Sequence, residues 1–349
     1  MSNEPNNHSA GCQSVSVVIL NWNGSALLQR FLPSVIAHTL PTGARIIVAD
    51  NGSTDDSLEL LKRDFPQVEV MAFDRNYGFA EGYNRAIEAI DTTYTVLLNS
   101  DVATPEGWLQ PLVRFMETHS DAGGCQPKIL SAADPSVFEY AGAAGGYLDR
   151  NGYPYCRGRV FSTIEADRGQ YDDTAEVMWA SGAALMVRRK AYLDAGGLDK
   201  IFFAHMEEID LCWRMRLKGW KVYAVGNSSV YHLGGGSLPA SNPKKTYLNF
   251  RNNLLMLHRN LPDRVRRKRL LLRRLLDTVA WLRYVAAMQW ADSAAIVRAH
   301  RDYRKMKSGL TDINRTGSDL LRATPEAKKN VLTAYYLRGK HTFRSIIQS

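Results

Sequence analysis

The sequence contains few cysteines, and none of them forms a closely spaced pair. Its 349 residues include four, which are Cys12, Cys125, Cys156 and Cys212, and no C-x-x-C motif occurs. Proteins of oxidising compartments use paired cysteines, whereas cytosolic proteins keep them reduced. The spacing therefore favours a reduced, cytoplasmic protein.

Long apolar runs are also absent. The sequence has no run of about twenty uncharged apolar residues, which a conventional membrane-spanning helix needs. The first fourteen residues are polar and have no apolar core. We therefore expect residues 1–14 to be a disordered N-terminus rather than a signal peptide.

Acidic residues are scarce near the C-terminus. Acids and bases are mixed up to about residue 260, so the formal charge of +9 belongs mainly to residues 261–349. Residues 264–274 contain seven bases and no acid. Apolar residues then fall on one helical face: Leu275, Leu276, Val279, Leu282, Val285 and Ala286.

This basic helical tail has two interpretations. A basic flank beside an apolar face predicts a helix that lies on an anionic membrane surface, at the inner face of the cell membrane. The alternative is a helix that packs on the core or joins two copies into a homo-oligomer. The usual DNA- and RNA-binding modules are not present, so we do not expect a nucleic-acid partner.

Strands and helices alternate over the first hundred residues. Strands are predicted at 15–20, 44–49, 68–73 and 94–98, with amphipathic helices at 25–38, up to about 65, and up to about 90. This alternation predicts an α/β fold with a mostly parallel sheet and right-handed crossovers.

Each of these strands ends in polar or small residues, and ligands bind at the carboxyl ends of parallel strands. Four such ends in succession predict a site, although turns in general are also polar. Asp101, after the fourth strand, is suited to hold a divalent metal, Mg²⁺ or Mn²⁺. Alternatively it caps the helix that begins near Pro105.

Two nucleotide-binding motifs are missing. Neither the G-x-G-x-x-G loop of dinucleotide folds nor the Walker G-x-x-x-x-G-K-[ST] loop occurs in the chain. The basic, Gly-rich loop of sugar nucleotidyltransferases is absent too. A phosphate group would then be held by a metal ion rather than by a glycine loop.

Four ordered motifs resemble the inverting family 2 glycosyltransferases, in particular their rhamnosyltransferase-like branch, over residues 15–262. They are VVILNWNG (17–24), VADNGSTDDS (48–57), NYGFAEGYN (76–84) and LLNSDV (97–102). The resemblance implies a GT-A fold, which is Rossmann-like with a mostly parallel sheet flanked by helices, here with a C-terminal helical extension. It also implies a nucleotide-sugar donor and a divalent metal.

The resemblance assigns candidate residues to the nucleotide-sugar site. By position these are Asn23, Asp50, Asn76, Asn84, Asn99 and Asp101. Asn99 stands where the family has the first acid of its D-x-D motif, which leaves Asp101 as the main carboxylate ligand. We expect residues 15–121 to bind the donor and residues 122–260 to bind the acceptor, before the tail at 261–349.

Residues 177–187 are predicted to form one strand with a small-residue centre. In the family this segment lies beside the donor sugar, so Trp179, Ser181 and Gly182 are candidates for a wall against the sugars. Close packing of two elements is the alternative explanation for the small residues.

A second chemical cluster lies in FFAHMEEIDLCWR (202–214). Acids at a helix start also favour the helix dipole without any other role. The order of residues resembles the family motif that carries the catalytic base, which implies Glu208 as base with Glu207 as the alternative. An ordinary carboxyl pKa would suffice. Asp210 and Arg214 are expected to pair within the helix.

His232, in VYHLGGGS (230–237), falls where the family has a histidine near the metal and diphosphate. The resemblance implies that His232 is the second metal ligand beside Asp101, with phosphate oxygens and water completing the shell. A structural or solvent-exposed histidine is the alternative.

Together these resemblances imply an inverting, metal-dependent glycosyltransferase. It would move a sugar, with rhamnose suggested, from a nucleotide-diphosphate donor to a lipid-linked or growing cell-surface glycan. A sugar nucleotidyltransferase shares the α/β architecture and is one alternative. An inactive glycan-binding relative at the membrane is the other.

Overall fold

A computed structural model of the chain describes residues 14–234, 242–311 and 313–348. Residues 1–13, most of the segment predicted to be disordered, lie outside the described residues. The same holds for residues 235–237 of the glycine segment that follows His232.

The first four strands form a parallel sheet. They are β1 (Val15–Asn21), β2 (Arg45–Asp50), β3 (Glu69–Ala72) and β4 (Tyr94–Leu98), in the order β3-β2-β1-β4. Three helices connect them: α1 (Ser25–Thr39), α2 (Ser57–Asp64) and α3 (Phe79–Ala89). The predicted α/β alternation is therefore confirmed.

Helices cover both faces of this sheet, because its apolar residues alternate between two cores. Val17 and Ile19 of β1 pack with residues of α1 and α2, whereas Val18 packs with residues of α3 on the other face. Successive side chains of a strand point to opposite faces, so a strand buried on both sides must be almost wholly apolar.

The second half of the chain adds shorter strands. They are β5 (Val102–Ala103), β6 (Ala122–Ser131), β7 (Gly146–Leu148), β8 (Pro154–Cys156), β9 (Arg159–Val160), β10 (Thr163–Ile164), β11 (Thr174–Val177), β12 (Ala184–Arg188) and β13 (Lys221–His232). The main sheet continues from β4 in the order β12-β6-β13-β11, and β5 pairs with β13. Strands β7–β10 form a separate sheet.

The added part of the main sheet is mixed. β12 runs antiparallel to β4 and β6, whereas β13 runs parallel to β6 and antiparallel to β11. The prediction of a mostly parallel sheet thus describes β1 to β4, and the sheet beyond them has both directions.

The prediction of a single strand at 177–187 is wrong. β11 ends at Val177 and β12 begins at Ala184, with a turn between them. The chain turns here because Ser181 bonds to a side chain of β6 and to a carbonyl of the segment before β7. The Ser181 amide donates to Gln126 Oε1 at 2.8 Å, and the Ser181 hydroxyl donates to the Ala141 carbonyl.

The remaining helices are α4 (Leu109–Thr118), α5 (Arg189–Asp194), α6 (Glu207–Leu217), α7 (Pro243–Asn260), α8 (Asp263–Ala286), α9 (Trp290–Met306) and α10 (Phe343–Ile347). α7 packs against α6, α8 and α9, so the predicted helical extension is confirmed and is joined to the α/β part through α7. Among the helices in the described ranges, none is long and apolar enough to cross a membrane.

Candidate active site

The ends of β1 and β2 are held together by hydrogen bonds. Asp50 is fully buried, and its carboxylate accepts from the Asn21 side chain at 2.9 Å and from the Ser53 amide at 3.0 Å. Asn23 has a positive φ of 49° and accepts from the Thr54 amide at 2.7 Å. The predicted donor residues Asn23 and Asp50 therefore lie at one edge of the sheet.

A buried asparagine links the end of β2 to the loop after β3. The Asn51 side chain donates to Asn76 Oδ1 at 3.0 Å and to the Gly78 carbonyl at 3.1 Å, and it accepts from the Tyr77 amide at 2.9 Å. Asn76 thus joins the same edge. Sequence reasoning had not named Asn51, although it follows Asp50 in the second motif.

Asn84 is held at a different place. Its side chain donates to the Leu198 carbonyl at 2.8 Å and accepts from the Tyr192 hydroxyl at 2.6 Å and the Leu198 amide at 2.9 Å. These bonds tie α3 to the segment after α5. The structure therefore does not bring the Asn84 amide to the edge that carries Asn23, Asp50 and Asn76.

Asp101 and His232 meet where β5 pairs with the end of β13. Asp101 Oδ1 lies 3.0 Å from His232 Nε2, and both residues are less than a tenth exposed. The Leu233 amide also donates to the Asp101 carbonyl, at 3.0 Å. Asn99 lies beside the pair, with its Nδ2 3.4 Å from His232 Nε2.

The other face of His232 contacts Glu139, which sequence reasoning had missed. Glu139 Oε2 lies 3.3 Å from His232 Nδ1. Burial alone would lower the pKa of His232, but the Asp101 and Glu139 carboxylates, which accept hydrogen bonds from the ring, outweigh it and raise the pKa to about 9. The only hint in the sequence was an acid inside a stretch rich in glycine and aromatic residues.

Asp101 and His232 offer two atoms of the kinds that bind divalent cations. A carboxylate oxygen and an imidazole nitrogen lie 3.0 Å apart, and the nitrogen becomes a ligand once the ring has lost its second proton. The part of the chain that the structure describes contains no cluster of three or more His, Cys, Asp or Glu residues suited to a metal.

The second cluster begins in strained backbone. Between β12 and α6, three residues other than glycine have positive φ: Phe203, His205 and Met206. Buried Asn252 of α7 holds this turn, because its side-chain amide donates to three carbonyls at 2.7–2.9 Å, those of Phe202, Ala204 and His205. Such strain persists only where surrounding contacts enforce it, and it is common at functional sites.

Glu207 and Glu208 follow this turn as the first residues of α6. Burial raises the pKa of Glu208 to about 7. Burial, and then the neighbouring Glu208 charge, raise the pKa of Glu207 well above its usual value. An ordinary carboxyl pKa would suffice for a base, but the pKa of Glu208 is raised. With a pKa of about 7, the Glu208 carboxyl can lose or accept a proton at neutral pH.

The turn between β11 and β12 connects the two clusters. The Asn99 backbone amide donates to the Ala183 carbonyl at 3.0 Å. A Cβ placed on the neighbouring Gly182 would lie 3.7 Å from the Glu208 Cβ. The Asp101 loop and Glu208 are thus separated by this short turn. The structure brings together Asn99, Gly182 and Glu208.

The other two residues of the predicted sugar wall face inward. Trp179 is 3% exposed and its indole N–H donates to the Tyr147 carbonyl at 3.1 Å. Ser181 is 2% exposed and bonds to the Ala141 carbonyl. Both side chains therefore support the turn, and only Gly182 of the three borders Glu208.

Asp210 and Arg214 organise the helix, as predicted. Arg214 Nε lies 2.7 Å from Asp210 Oδ2, one helical turn away, and both side chains are buried. Arg259 and Asn260 of α7 also contact the Asp210 carboxylate, at 3.3 Å and 2.7 Å. These bonds fasten α6 to α7.

Comparison with known proteins places this arrangement in a family. A model of glycosyl transferase family 2 matches residues 16–192. The N-acetylglucosaminyl-diphospho-decaprenol L-rhamnosyltransferase of Mycobacterium tuberculosis (strain H37Rv) is 27% identical over 233 residues, which is 62% of this chain and 75% of that protein. The rhamnosyltransferase WbbL of Escherichia coli (strain K12) is 26% identical over 54% of this chain and 72% of its own length.

A solved structure supports the same fold. The mannosyltransferase PcManGT of Pyrobaculum calidifontis, solved with GDP-Man and Mn²⁺, superposes with a TM-score of 0.51 and 12% identity, over 84% of this chain and 83% of its own. The family model covers half of the chain, including the Asp50 and Asp101 motifs. The chain therefore belongs to glycosyl transferase family 2.

Proposed function

We propose that this protein transfers a sugar from a nucleotide-diphosphate donor to an acceptor hydroxyl with inversion at the anomeric carbon. The observation that carries the proposal is that the Gly182–Ala183 turn contacts both Glu208 and Asn99, which lies beside the Asp101–His232 pair. One cluster suits the leaving diphosphate, and the other suits the attacking hydroxyl.

Asp101 and His232 would hold a divalent cation, either Mg²⁺ or Mn²⁺. Such a cation neutralises charge that develops on a departing diphosphate. The fold neighbour PcManGT was solved with Mn²⁺ and a nucleotide sugar, which supports this assignment. Two relatives are named rhamnosyltransferases, so rhamnose is the first donor sugar to test.

Glu208 would act as the general base. The acceptor oxygen forms a bond to the anomeric carbon while the bond from that carbon to the diphosphate breaks, and the hydroxyl proton passes to the Glu208 carboxylate. A base works best when its pKa lies near the working pH, and burial raises the pKa of Glu208 to about 7. Burial and the Glu208 charge raise the pKa of Glu207 well above its usual value, which disfavours its ionised form, so Glu207 is the weaker candidate.

The first experiment is a donor screen with the purified full-length chain. Thermal shift against a panel of nucleotide-diphosphate sugars, with and without Mn²⁺, should show stabilisation by one donor that depends on the metal. Product analysis should then find a released nucleoside diphosphate. Release of pyrophosphate would instead indicate a nucleotidyltransferase, and binding without any donor turnover would indicate a glycan-binding relative.

We further propose that α8 rests on an anionic membrane surface, where a lipid-linked acceptor would be available. Its outer face is apolar and exposed, through Leu271, Leu272, Leu275, Val279 and Leu282, and Arg264, Arg267 and Lys268 are exposed at its N-terminal end. This order of bases followed by leucines fits anionic headgroups beside acyl chains. The mycobacterial relative is named for a decaprenol-linked substrate.

Vesicle binding tests this surface. The full-length chain should sediment with vesicles that contain phosphatidylglycerol and remain free of pure phosphatidylcholine vesicles. The double variant Leu275→Glu and Leu282→Glu should stay unbound. If the wild type instead elutes as a dimer and ignores both vesicles, the outer face of α8 joins two copies.

A further inference from the structure

We propose that Arg159 and Lys245, gathered around Tyr140, form a binding site for a diphosphate group. The inference rests on the proposed function for the source of that diphosphate, which is either the sugar donor or a lipid-linked acceptor. The existence of the site follows from the charges and contacts of these residues alone.

The two cations share one aromatic ring. The guanidinium carbon of Arg159, in β9, lies 4.3 Å from the centre of the Tyr140 ring, and Lys245 Nζ, in the first turn of α7, lies 4.9 Å from the same point. Tyr140 is 42% exposed, so the ring reaches the surface. Two segments that are distant in sequence therefore deliver positive charge to one place.

Neither cation has an acidic partner within 4 Å among the described residues. Arg159 is 6% exposed and donates only to the Phe161 carbonyl at 3.3 Å and to Cys156 Sγ at 3.4 Å, while its buried Nε has no acceptor in the described part of the chain. Burial lowers the pKa of Lys245, the Glu139 charge opposes this effect, and the nearby Arg159 charge adds to it. Burying two like charges with a single acid at longer range is costly.

Other buried cations of the protein show the contrast. Arg214 pairs with Asp210 at 2.7 Å, and Arg273 pairs with Asp277 at 2.7 Å. Lys128 likewise contacts Asp167, at 2.6 Å. Each of these three cations has a carboxylate within hydrogen-bond distance. Arg159 and Lys245 instead share the longer-range charge of one acid, Glu139, and can accept an anion from outside.

The two cations lie near both clusters of the proposed active site. Tyr140 directly follows Glu139, the carboxylate that contacts His232. On the other side, the Lys245 charge helps to lower the pKa of His205, two residues before Glu207. α7, which is 18 residues long and has no acid in its first turn, adds the positive end of its dipole at Lys245.

A diphosphate matches this arrangement, because it carries several negative charges over two phosphorus centres. The diphosphate of a donor held at the Asp101–His232 pair would also contact this site. An acceptor that carries its own diphosphate would bring a second one, and its charge would not be neutralised by the donor's cation.

The test measures binding, not transfer. Isothermal titration of the full-length chain with inorganic pyrophosphate should give binding that weakens at least about tenfold in Lys245→Gln, since a charge-assisted contact contributes about 1.5–3 kcal/mol. Lys244→Gln is the matched control, because Lys244 lies over the Phe203 ring instead, at 4.9 Å, and should bind as the wild type does. Arg159→Gln, checked for folding by circular dichroism, should weaken binding as well.

Two further ligands identify the source. If Lys245→Gln weakens binding of the nucleoside diphosphates UDP, GDP or dTDP, the site serves the donor. If it weakens binding of farnesyl diphosphate instead, the site serves a lipid-linked acceptor. Unchanged binding of every one of these ligands in Lys245→Gln would overturn the proposal.

This result is independent of catalysis. Pyrophosphate binding that depends on Lys245, in a protein that transfers no sugar, would preserve the anion site and reject the proposed function. Normal transfer with unaltered binding by Lys245→Gln would reject the anion site and preserve the proposed function.

Discussion

Replacing Glu208 by Gln should abolish transfer and at the same time stabilise the protein at alkaline pH. The change keeps the size of the side chain and removes its charge. Burial raises the pKa of Glu208 from 4.5 to about 7. Each unit of pKa corresponds to about 1.4 kcal/mol, so ionising Glu208 inside the fold costs on the order of 3 kcal/mol.

The sign of the effect follows from proton linkage. The unfolded chain ionises Glu208 near pH 4.5, whereas the folded protein keeps the proton until about pH 7. The stability that the protonated group contributes is therefore fully present below pH 4.5 and is lost as the pH rises through 7. Gln does not titrate, so the free energy of unfolding of Glu208→Gln should rise relative to that of the wild type over that range.

Urea unfolding at pH 5 and at pH 8 measures this difference. The free energy of unfolding of Glu208→Gln relative to the wild type should rise between the two pH values by about 2 kcal/mol. Glu117→Gln, at an exposed glutamate of α4, is the matched control and should show no such change. Equal pH dependence in all three proteins would mean that Glu208 is not desolvated.

The transfer assay examines the same carboxylate. The wild-type rate should fall as the pH drops below 7, because a protonated base cannot take the acceptor proton. Glu208→Gln should bind the donor with little change and show no turnover. Turnover at the wild-type rate would refute the assignment of Glu208 as base.

Three other variants probe the rest of the site. Asp101→Ala should weaken Mn²⁺ and donor binding by about a hundredfold in titration calorimetry, since it removes the only carboxylate of the pair; undiminished Mn²⁺ binding would reject this ligand. Glu139→Ala should weaken Mn²⁺ binding about tenfold by freeing the His232 ring, and Glu139→Gln should restore most of it, which a purely structural role would not predict. Asn252→Ala removes three buried hydrogen bonds, so kcat should fall more than KM rises as the turn before Glu208 relaxes; a change in urea stability alone would assign Asn252 to the fold only.

Local sequence patterns predicted the first half of the fold well. The four parallel strands and three helices follow from apolar periodicity, because each element buries its own face on a neighbour close in the chain. The Asp210–Arg214 pair was equally accessible, since residues one helical turn apart must meet.

Contacts between distant segments were not accessible in the same way. Glu139 reaches His232 because its backbone amide donates to the Ile129 carbonyl of β6, the strand that pairs with the end of β13. Asn252 reaches the turn before Glu207 because α7 lies against α6. The broken strand at 177–187 has the same cause, since Ser181 bonds to side chains and carbonyls of other segments. Periodicity contains no information about such partners.

α8 shows how tertiary packing can reverse the meaning of an amphipathic pattern. Arg273 and Asp277 are buried, where they pair with each other at 2.7 Å and contact Asn253 of α7 and His300 of α9. These polar bonds need the inner face, so the leucines of the same helix are directed outward; Leu275 is 59% and Leu282 is 53% exposed. Exposed apolar surface costs about 25 cal/mol per Å² in water, so a contiguous apolar helix face that the fold itself leaves uncovered indicates a partner. The bases at the start of the helix favour a membrane over a second copy of the chain, because two such faces brought together would repel.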